Sequence, residues 1–145
     1  MLIIRKSVLE DCRALFDIRN HESIRLMSLN SAELVYEEHA AWFMKILNLP
    51  TARHYTLLWN ESIIGATRYD LQTDSEATAS IYIGPEFWGK GLATQALSDT
   101  EKLFRLEFPA INLINAFVRA ENNGSKKLFE KSGYIIDVHH YKKRF

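Results

Sequence analysis

Hydrophobic positions at the start of the chain change from a strand-like to a helix-like spacing. The short run "LIIR" contains β-branched residues and predicts a strand. In "VLEDCRALFDIRN", Leu9, Cys12 and Phe16 recur at i, i+3 and i+7, which predicts a helix with one apolar face. The segment "LVYEEHAAWFMKIL" predicts a second helix, which Pro50 closes. Its apolar stripe consists of Trp42, Phe43, Ile46 and Leu47.

The middle of the chain is rich in β-branched and aromatic residues. The runs "HYTLLW" and "IIGATRYDL" flank the polar turn "NES", and "ATASIYI" follows after "QTDSE". Runs of this kind, separated by short polar turns, are typical of consecutive antiparallel strands. We therefore expect a three-stranded meander.

The last third of the chain returns to helical spacing on both sides of another strand. After a glycine-rich turn a helix is predicted up to Pro109, and "INLINAFV" predicts the strand that follows it. The apolar face of that helix consists of Ala93, Ala96, Leu97, Thr100 and Phe104. A final helix is predicted from a face made of Ser125, Leu128, Phe129 and Ser132. Gly133 suits the position just past its end, and "YIIDVHHY" predicts extended chain.

Composition narrows the classes of protein that this pattern allows. The chain has 145 residues, 47% of them hydrophobic, which predicts one globular domain over residues 1–145. Its 18 basic residues balance 18 acidic ones, so we expect no nucleic-acid partner. Cys12 is the single cysteine and cannot form an intrachain disulfide. The first apolar run is too short for a signal peptide or a membrane span, so we expect a cytoplasmic protein without a membrane partner.

The turn "GPEFWGKG" connects a predicted strand to a predicted helix. Backbone amides at the start of a helix are unpaired and carry partial positive charge, so such a turn can hold a phosphate or pyrophosphate. Gly89 and Gly91 allow close backbone approach, Ala93 leaves room in the first helical turn, and Lys90 adds charge. A tight connection without a ligand is the alternative. The Walker and dinucleotide-binding glycine patterns do not fit this stretch.

The segments "IYIGPEFWGKGLATQAL" and "VRAENNGSKKLFEKSGY" together resemble the two signature segments of the GCN5-related N-acetyltransferases, the GNAT family. The family's [RQ]-x-x-G-x-[GA] turn falls on Trp88 to Ala93, and Trp88 departs from its usual Arg or Gln. The later segment matches at Asn122, Ser125, Leu128, Lys131, Gly133 and Tyr134. The resemblance implies an α/β (α+β) fold, with a mixed, mostly antiparallel central sheet flanked by helices. It also implies acetyl-CoA as the acetyl donor. No metal is predicted, because Arg53, His54, Arg68, His139 and His140 have no spacing that argues for a metal site.

In this family the donor lies where the strands "ATASIYI" and "INLINAFV" separate. The main chain of Ile81 and Ile83 would bind the pantetheine arm, and an amide near Ile83 would polarise the thioester carbonyl. Asn122 would face the pantetheine and the leaving sulfur, or would only cap the last helix. The cofactor-binding residues that the resemblance implies are Ile81, Ile83, Trp88, Gly89, Lys90, Gly91, Leu92, Ala93, Thr94 and Asn122.

The residues for proton transfer are less complete. The position from which many relatives project a glutamate falls on Thr78, and Phe129 stands where many carry a tyrosine as general acid. Glu76 and Tyr82 are the candidate catalytic residues on this strand. Glu76 would act through a water molecule, or would be a solvated residue at the strand end. Holding amine and thioester together then has to supply much of the rate.

The combination of R-N-H, E-E-H and W-F in the first third resembles a branch of the family that acetylates nucleotide-linked amino sugars, such as the pseudaminic acid pathway enzymes. By that analogy Arg19 contacts substrate phosphate, while His39 and Tyr82 line the same pocket. The alternatives are a helix C-terminus contact for Arg19, a partly buried helix position for His39 and a core position for Trp42. Surface or strand roles suffice for Arg53, His54, Arg68, His139 and His140.

The sequence thus predicts an acetyl-CoA-dependent N-acetyltransferase acting on a small-molecule amine, and is compatible with a homodimer. A protein N-terminus or ribosomal-protein amine is the alternative acceptor. A non-catalytic acyl-CoA-binding module is the alternative from another class.

Overall fold

A computed structural model describes residues 1–138 and 140–145, which contain five strands and five α-helices. In chain order these are β1 Leu2–Lys6, α1 Cys12–Arg19, α2 Glu22–Met27, α3 Tyr36–Leu47, β2 Ala52–Trp59, β3 Ser62–Leu71, β4 Glu76–Ile83, α4 Leu92–Glu107, β5 Leu113–Asn115 and α5 Asn123–Lys131. Short 3-10 turns at Leu9–Asp11 and Pro85–Phe87 precede α1 and α4.

The strands form one sheet in the order β1-β2-β3-β4-β5. The first three pairs are antiparallel, and β4 and β5 are parallel. The expected meander and the expected mixed, mostly antiparallel sheet are therefore confirmed. A crossover connection through α4 links the two parallel strands, as parallel pairing requires.

The parallel pairing between β4 and β5 is short. It runs from Glu76 opposite Leu113 to Thr78 opposite Asn115, after which β5 ends and β4 continues to Ile83. Five residues of β4, roughly 17 Å of strand, thus have no neighbour on that side. The separation of the two strands that the sequence predicted is confirmed, and it leaves a free strand edge inside the fold.

Helices cover both faces of the sheet. On one face α4 buries Leu92, Ala96 and Phe104, which recur at its i, i+4 and i+12 positions, against side chains of β2, β3 and β4. On the other face α1 and α3 pack around a cluster of Cys12, Leu15, Phe43 and Ala66. Helix α5 packs on α4 through Leu97, Leu128 and Phe129.

Several predicted elements differ from those observed. Helix α2 was not predicted because six residues are too few for a periodic pattern. Leu9 is exposed because it belongs to a 3-10 turn and not to α1. The strand "INLINAFV" is reduced to Leu113–Asn115, since it has only β4 to pair with. In "YIIDVHHY" residues 134–138 form no regular element, and His139 lies outside the described residues.

Candidate active site

The main-chain groups of β4 beyond Thr78 point to two different environments. The amide of Gly84 donates to the carbonyl of Ile64 at 2.8 Å. The main-chain groups of every second residue before Gly84 therefore also face β3. Because consecutive residues of an antiparallel strand turn their main-chain groups to opposite sides, those of Ile81 and Ile83 face the free edge. An extended ligand can hydrogen bond to such an edge as an added strand does.

The turn after β4 enters α4 through two glycines with left-handed backbone angles. Gly89 has φ 78° and Gly91 has φ 75°, a region that side-chain-bearing residues rarely adopt. Gly91 is the N-cap residue of α4, so no N-cap side chain accepts from the helix amides. Nothing in the described part of the chain accepts a hydrogen bond from the amides of residues 89–94. These free donors, together with the positive end of the α4 dipole, suit an anion of the phosphate type.

Side chains of the turn leave these amides accessible. Leu92 is 5% exposed and packs into the core, so it offers only its amide. Ala93 and Thr94 are half-buried, whereas Lys90 is exposed, with its Nζ 5.9 Å from the ring centroid of Phe87. The predicted cofactor residues from 89 to 94 therefore lie together where the free edge of β4 ends.

Trp88 connects this turn to β4 through its side chain. Its indole Nε1 donates to the carbonyl oxygen of Ile83 at 2.8 Å. Trp88 was predicted to lie in the binding turn, but nothing in the sequence pattern of the turn predicts this hydrogen bond.

Asn122 uses both ends of its side-chain amide within the protein. Its Oδ1 accepts from the Ser125 amide at 3.0 Å and caps α5, and its Nδ2 donates to the Met27 carbonyl at 3.1 Å. Arg119 donates from Nη1 to the carbonyls of Leu26 and Ser28, next to Met27. Of the two roles left open for Asn122, the structure shows the cap, and it adds a bridge from α5 to the end of α2.

Arg19, His39 and Tyr82 lie on the face of the sheet that α1 and α3 cover. Tyr82 packs against the cluster around Leu15 and Phe43, and the charge of Arg19 acts on both His39 and Tyr82. The His39 ring stacks on Phe43 with centroids 6.1 Å apart. Three residues that are far apart in sequence are therefore close together in space, and we call them, with the space around them, the Arg19 pocket.

Two buried polar atoms of the Arg19 pocket have no hydrogen-bond partner among the described residues. They are Nη1 of Arg19 and Nε2 of His39. A buried polar group without a partner costs free energy, and the cost is larger when the group is charged. A bound water molecule or a ligand can complete the hydrogen bonds of such atoms.

The electrostatics of the Arg19 pocket are those of a cationic site. Burial lowers the pKa of Arg19 below its usual value, Tyr82 opposes that shift, and the nearby charges of Arg68 and Arg25 add to it. Burial and the Arg19 charge lower the pKa of His39, so its imidazole is neutral near pH 7. Burial raises the pKa of Tyr82 well above 10, so its phenol stays protonated and serves as a donor. Among the described residues, the groups whose charges act on Arg19 are Tyr82, Arg68 and Arg25, and none of these is a carboxylate.

Residues that sequence reasoning left without a role complete the pocket. The guanidinium of Arg68 lies 5.3 Å from the ring centroid of Trp42, and its Nε donates to Asp70 at 2.8 Å. Trp42 is 36% exposed, so the expectation of a core position for it is wrong. In the hairpin of β3 and β4, Arg68 pairs with Ser80 and Asp70 with Thr78. Arg68 and Asp70 could have been predicted as neighbours of the site only from the register of this hairpin.

The candidate catalytic residues on β4 lie in different places. Glu76 is the first residue of β4 and pairs with Leu113, so it lies where the two strands are still joined. It is about 10 Å along the strand from Ala79, where the free edge begins. Tyr82 lies in the Arg19 pocket, on the opposite face of the sheet from α4. Of the two, only Tyr82 combines an accessible donor group with the open part of β4.

The later signature segment packs against α4. Phe129 is 8% exposed and packs with Leu97, Leu128 and Tyr134. The Tyr134 hydroxyl donates to Glu101 on α4 at 3.1 Å. Burial and the charge of Glu101 raise the pKa of Tyr134 well above 10. A phenol held in this way stays protonated.

Comparison with known proteins agrees with this geometry. The sequence profile of the Acetyltransferase (GNAT) domain family matches residues 1–135. The chain belongs to the GNAT acetyltransferase family. It is 22% identical over 127 residues to the acetyltransferase PseH of Campylobacter jejuni, covering 88% of this chain and 78% of PseH.

Solved structures of other acetyltransferases share the GNAT fold of this chain. Spermidine N-acetyltransferase from Vibrio cholerae, in complex with CoA and spermine, superposes with a TM-score of 0.85 at 20% identity, covering 99% of this chain and 86% of that one. The putative acetyltransferase yncA from Salmonella typhimurium, with acetyl-CoA, gives a TM-score of 0.79 at 21% identity over 94% and 81% of the two chains. At these identities the likeness is one of fold.

As a GNAT enzyme the protein is an N-acetyltransferase that uses acetyl-CoA as its cosubstrate. Acetyl-CoA supplies an activated acetyl thioester. The unpartnered amides of residues 89–94 fit its pyrophosphate, and the free edge of β4 fits its pantetheine arm. Across residues 1–138 and 140–145, no three His, Cys, Asp or Glu side chains form a metal-binding group. The same described ranges contain no helix long and apolar enough to cross a membrane.

Proposed function

We propose that this GNAT enzyme acetylates the amino group of a small acceptor that also carries an anionic group, with a nucleotide-linked amino sugar as the acceptor of best fit. The observation that carries the proposal is the buried, unpartnered Nη1 of Arg19 in a pocket that also holds the charge of Arg68. The planar guanidinium can bind two oxygens of a phosphate at once.

The charge balance of the pocket argues against polycationic acceptors. Arg68 is paired with Asp70, but the positive charges that act on Arg19 itself are those of Arg68 and Arg25, so a polyamine would add positive charge beside a guanidinium that already has cationic neighbours. The likeness to the spermidine acetyltransferase is one of fold and carries no substrate to this chain. A phosphate or diphosphate instead supplies the missing negative charge and acceptor oxygens.

The aromatic residues of the pocket suit the rest of such an acceptor. Trp42 lies beside His39 with ring centroids 5.5 Å apart and keeps 36% of its surface exposed. An exposed aromatic ring can pack on a sugar or a base, and the unpartnered Nε2 of His39 can hydrogen bond to a hydroxyl or a phosphate. The resemblance of R-N-H, E-E-H and W-F to the nucleotide-sugar branch and the likeness to PseH point the same way.

In the proposed complex, residues of this chain bind and orient the two substrates. The free edge of β4 holds the donor, with the Ile83 amide available to polarise a carbonyl oxygen. The Arg19 pocket holds the acceptor, and the protonated Tyr82 donates a hydrogen bond between them. Glu76 is too far along β4 to contact the amine directly, so its role would require bridging water. Positioning of amine and thioester is the main contribution to rate in this proposal.

The experiment that tests the proposal compares acceptors by thiol release from acetyl-CoA. The acceptors are a UDP-linked amino sugar, the same amino sugar without its nucleotide, spermidine, and a peptide with a free N-terminus. We expect kcat/KM for the UDP-linked sugar to exceed that for the free sugar by about 100-fold, since two charged hydrogen bonds contribute roughly 1.5 kcal/mol each or more. Equal rates for the two sugars, or a preference for spermidine or the peptide, would overturn the proposal.

A further inference from the structure

The indole of Trp88 joins the pyrophosphate turn to the free edge of β4. Nε1 of Trp88 donates to the Ile83 carbonyl at 2.8 Å, and the residue is 52% exposed. About half of its surface is therefore covered by the protein. The hydrogen bond is the directional contact that its side chain makes with β4.

This contact lies between two parts of the donor site. Ile83 ends the edge of β4 that suits the pantetheine arm, and Gly89 begins the run of free amides that suits the pyrophosphate. Within the intervening turn, Phe87 bonds back to Gly84 and Trp88 to Pro85 through the main chain. Those bonds shape the turn, and Phe87 and Leu92 anchor it by packing with the apolar cluster that includes Ile83. The Trp88 side chain adds a hydrogen bond from the exit of the turn to β4.

We propose that Trp88 is a positioning residue that sets the distance between the amides of residues 89–91 and the edge of β4. A ligand that spans both half-sites gains affinity when their separation matches its own length, because the second contact is then made at high effective concentration. An error of about 1 Å in such a separation is costly for binding and for alignment of the reacting atoms. The proposal concerns the donor site and does not depend on the identity of the acceptor.

Trp88 is suited to this task by its chemistry. The indole carries one donor and no acceptor, and only two side-chain torsions place it. An Arg or Gln, as in the family pattern, has more side-chain torsions and more than one N–H donor. Trp88 therefore makes a stiffer link to β4 than either residue would, without adding charge to the turn.

The test uses two variants that differ in one donor. Trp88→Phe keeps an aromatic ring and removes the N–H, whereas Trp88→His keeps a ring N–H at the equivalent ring position. Trp59→Phe, in β2, is the matched control, because Trp59 packs against the apolar cluster that includes Ile83 and Leu92 and so reports the effect of losing indole packing near the donor site. Each protein is titrated calorimetrically with CoA, with ADP, which carries the pyrophosphate half of CoA, and with pantetheine, which is the other half. Ligands that bind weakly are measured by competition against CoA. Thermal unfolding checks that each variant is folded.

A positioning role predicts that Trp88→Phe weakens CoA binding by about 3- to 10-fold, the range for one net hydrogen bond, and changes ADP and pantetheine binding by less than about twofold. Trp88→His should recover most of the CoA affinity, and Trp59→Phe should keep it. An equal loss for ADP and CoA would show that Trp88 is instead a direct pyrophosphate contact. Unchanged CoA affinity in folded Trp88→Phe, or an equal loss in Trp59→Phe, would also overturn the proposal.

Discussion

Replacing Gly91 by alanine should weaken CoA binding far more than it weakens the fold. A Cβ at Gly91 would meet no atom within 4 Å, so the cost to folding comes only from the backbone angle of φ 75°. That cost is about 1–2 kcal/mol for a residue with a side chain. Gly133, after α5, also has open space around a Cβ and has φ 90°. Gly133→Ala is therefore a matched control with the same expected cost to folding.

The effect on binding should separate the two glycines. The new methyl group at Gly91 lies beside the unpartnered amides of residues 89–94, where an anion has to approach the backbone. Losing one or two charged hydrogen bonds costs roughly 1.5–3 kcal/mol each, so CoA affinity should fall at least about tenfold. Gly91→Val adds a β-branched side chain and should bind more weakly still. Gly133→Ala should bind CoA like the wild type.

Calorimetric titration with CoA and thermal unfolding of the three variants make the comparison. A folded Gly91→Val protein with wild-type CoA affinity would refute the assignment of pyrophosphate to this turn. So would a Gly133→Ala protein that loses CoA affinity to the same extent as Gly91→Ala.

Three further predictions address other parts of the molecule. Burial lowers the pKa of His54 from 6.5 to about 4. As the pH falls, the unfolded chain therefore binds a proton at this histidine before the folded chain does. The free energy of unfolding should drop by about 2 kcal/mol between pH 7 and 5. Denaturant titrations at both pH values should show that His54→Asn, which keeps an acceptor for Ser7, removes most of this drop. His39→Ala should raise KM for the acceptor and leave KM for acetyl-CoA unchanged in steady-state kinetics, whereas equal effects on both would indicate a structural role. Phe129→Tyr should change kcat by less than about twofold, because amine attack is slow without a carboxylate at Thr78, and a tenfold gain would place the slow step at thiolate departure instead.

The donor turn could be predicted from sequence because its signal is local. Two glycines, a preceding apolar strand and a following helix are adjacent in the chain, and the same few residues form the turn in the structure. The meander was predictable for the same reason. The hydrogen bond from Trp88 to Ile83 was not, since it depends on the path of the turn and not on residue type.

The acceptor pocket was only partly predictable because it is assembled from distant segments. Arg19 and His39 came from a family resemblance, whereas Arg68 and Asp70 follow from the register of β3 against β4, which no composition or spacing rule gives. Trp42 fits the apolar stripe of α3, yet it is 36% exposed, and the Arg68 guanidinium lies 5.3 Å from its ring centroid. A stripe shows which side of a helix is apolar, but not how far the neighbouring strand extends to cover it.

The strand β5 was predicted too long for a related physical reason. An apolar run forms a strand only as far as it pairs with a neighbour, and the pairing of β5 with β4 ends at Asn115 opposite Thr78. The residues beyond Asn115 therefore leave the sheet, and their separation from β4 creates the free edge that the donor site requires.

The central claim, that Arg19 recognises an anionic group on the acceptor, is tested most directly by a cycle of two proteins and two acceptors. The measurement is kcat/KM for a UDP-linked amino sugar and for the same sugar without its nucleotide. Both are measured in wild type and in Arg19→Gln. Arg105→Gln, on the exposed face of α4, is a control with the same change in charge. The account predicts that Arg19→Gln reduces the preference for the nucleotide-linked sugar at least about tenfold, as expected for a lost charged hydrogen bond, while Arg105→Gln leaves the preference intact. An Arg19→Gln enzyme that slows with both sugars equally and keeps the full preference would contradict it.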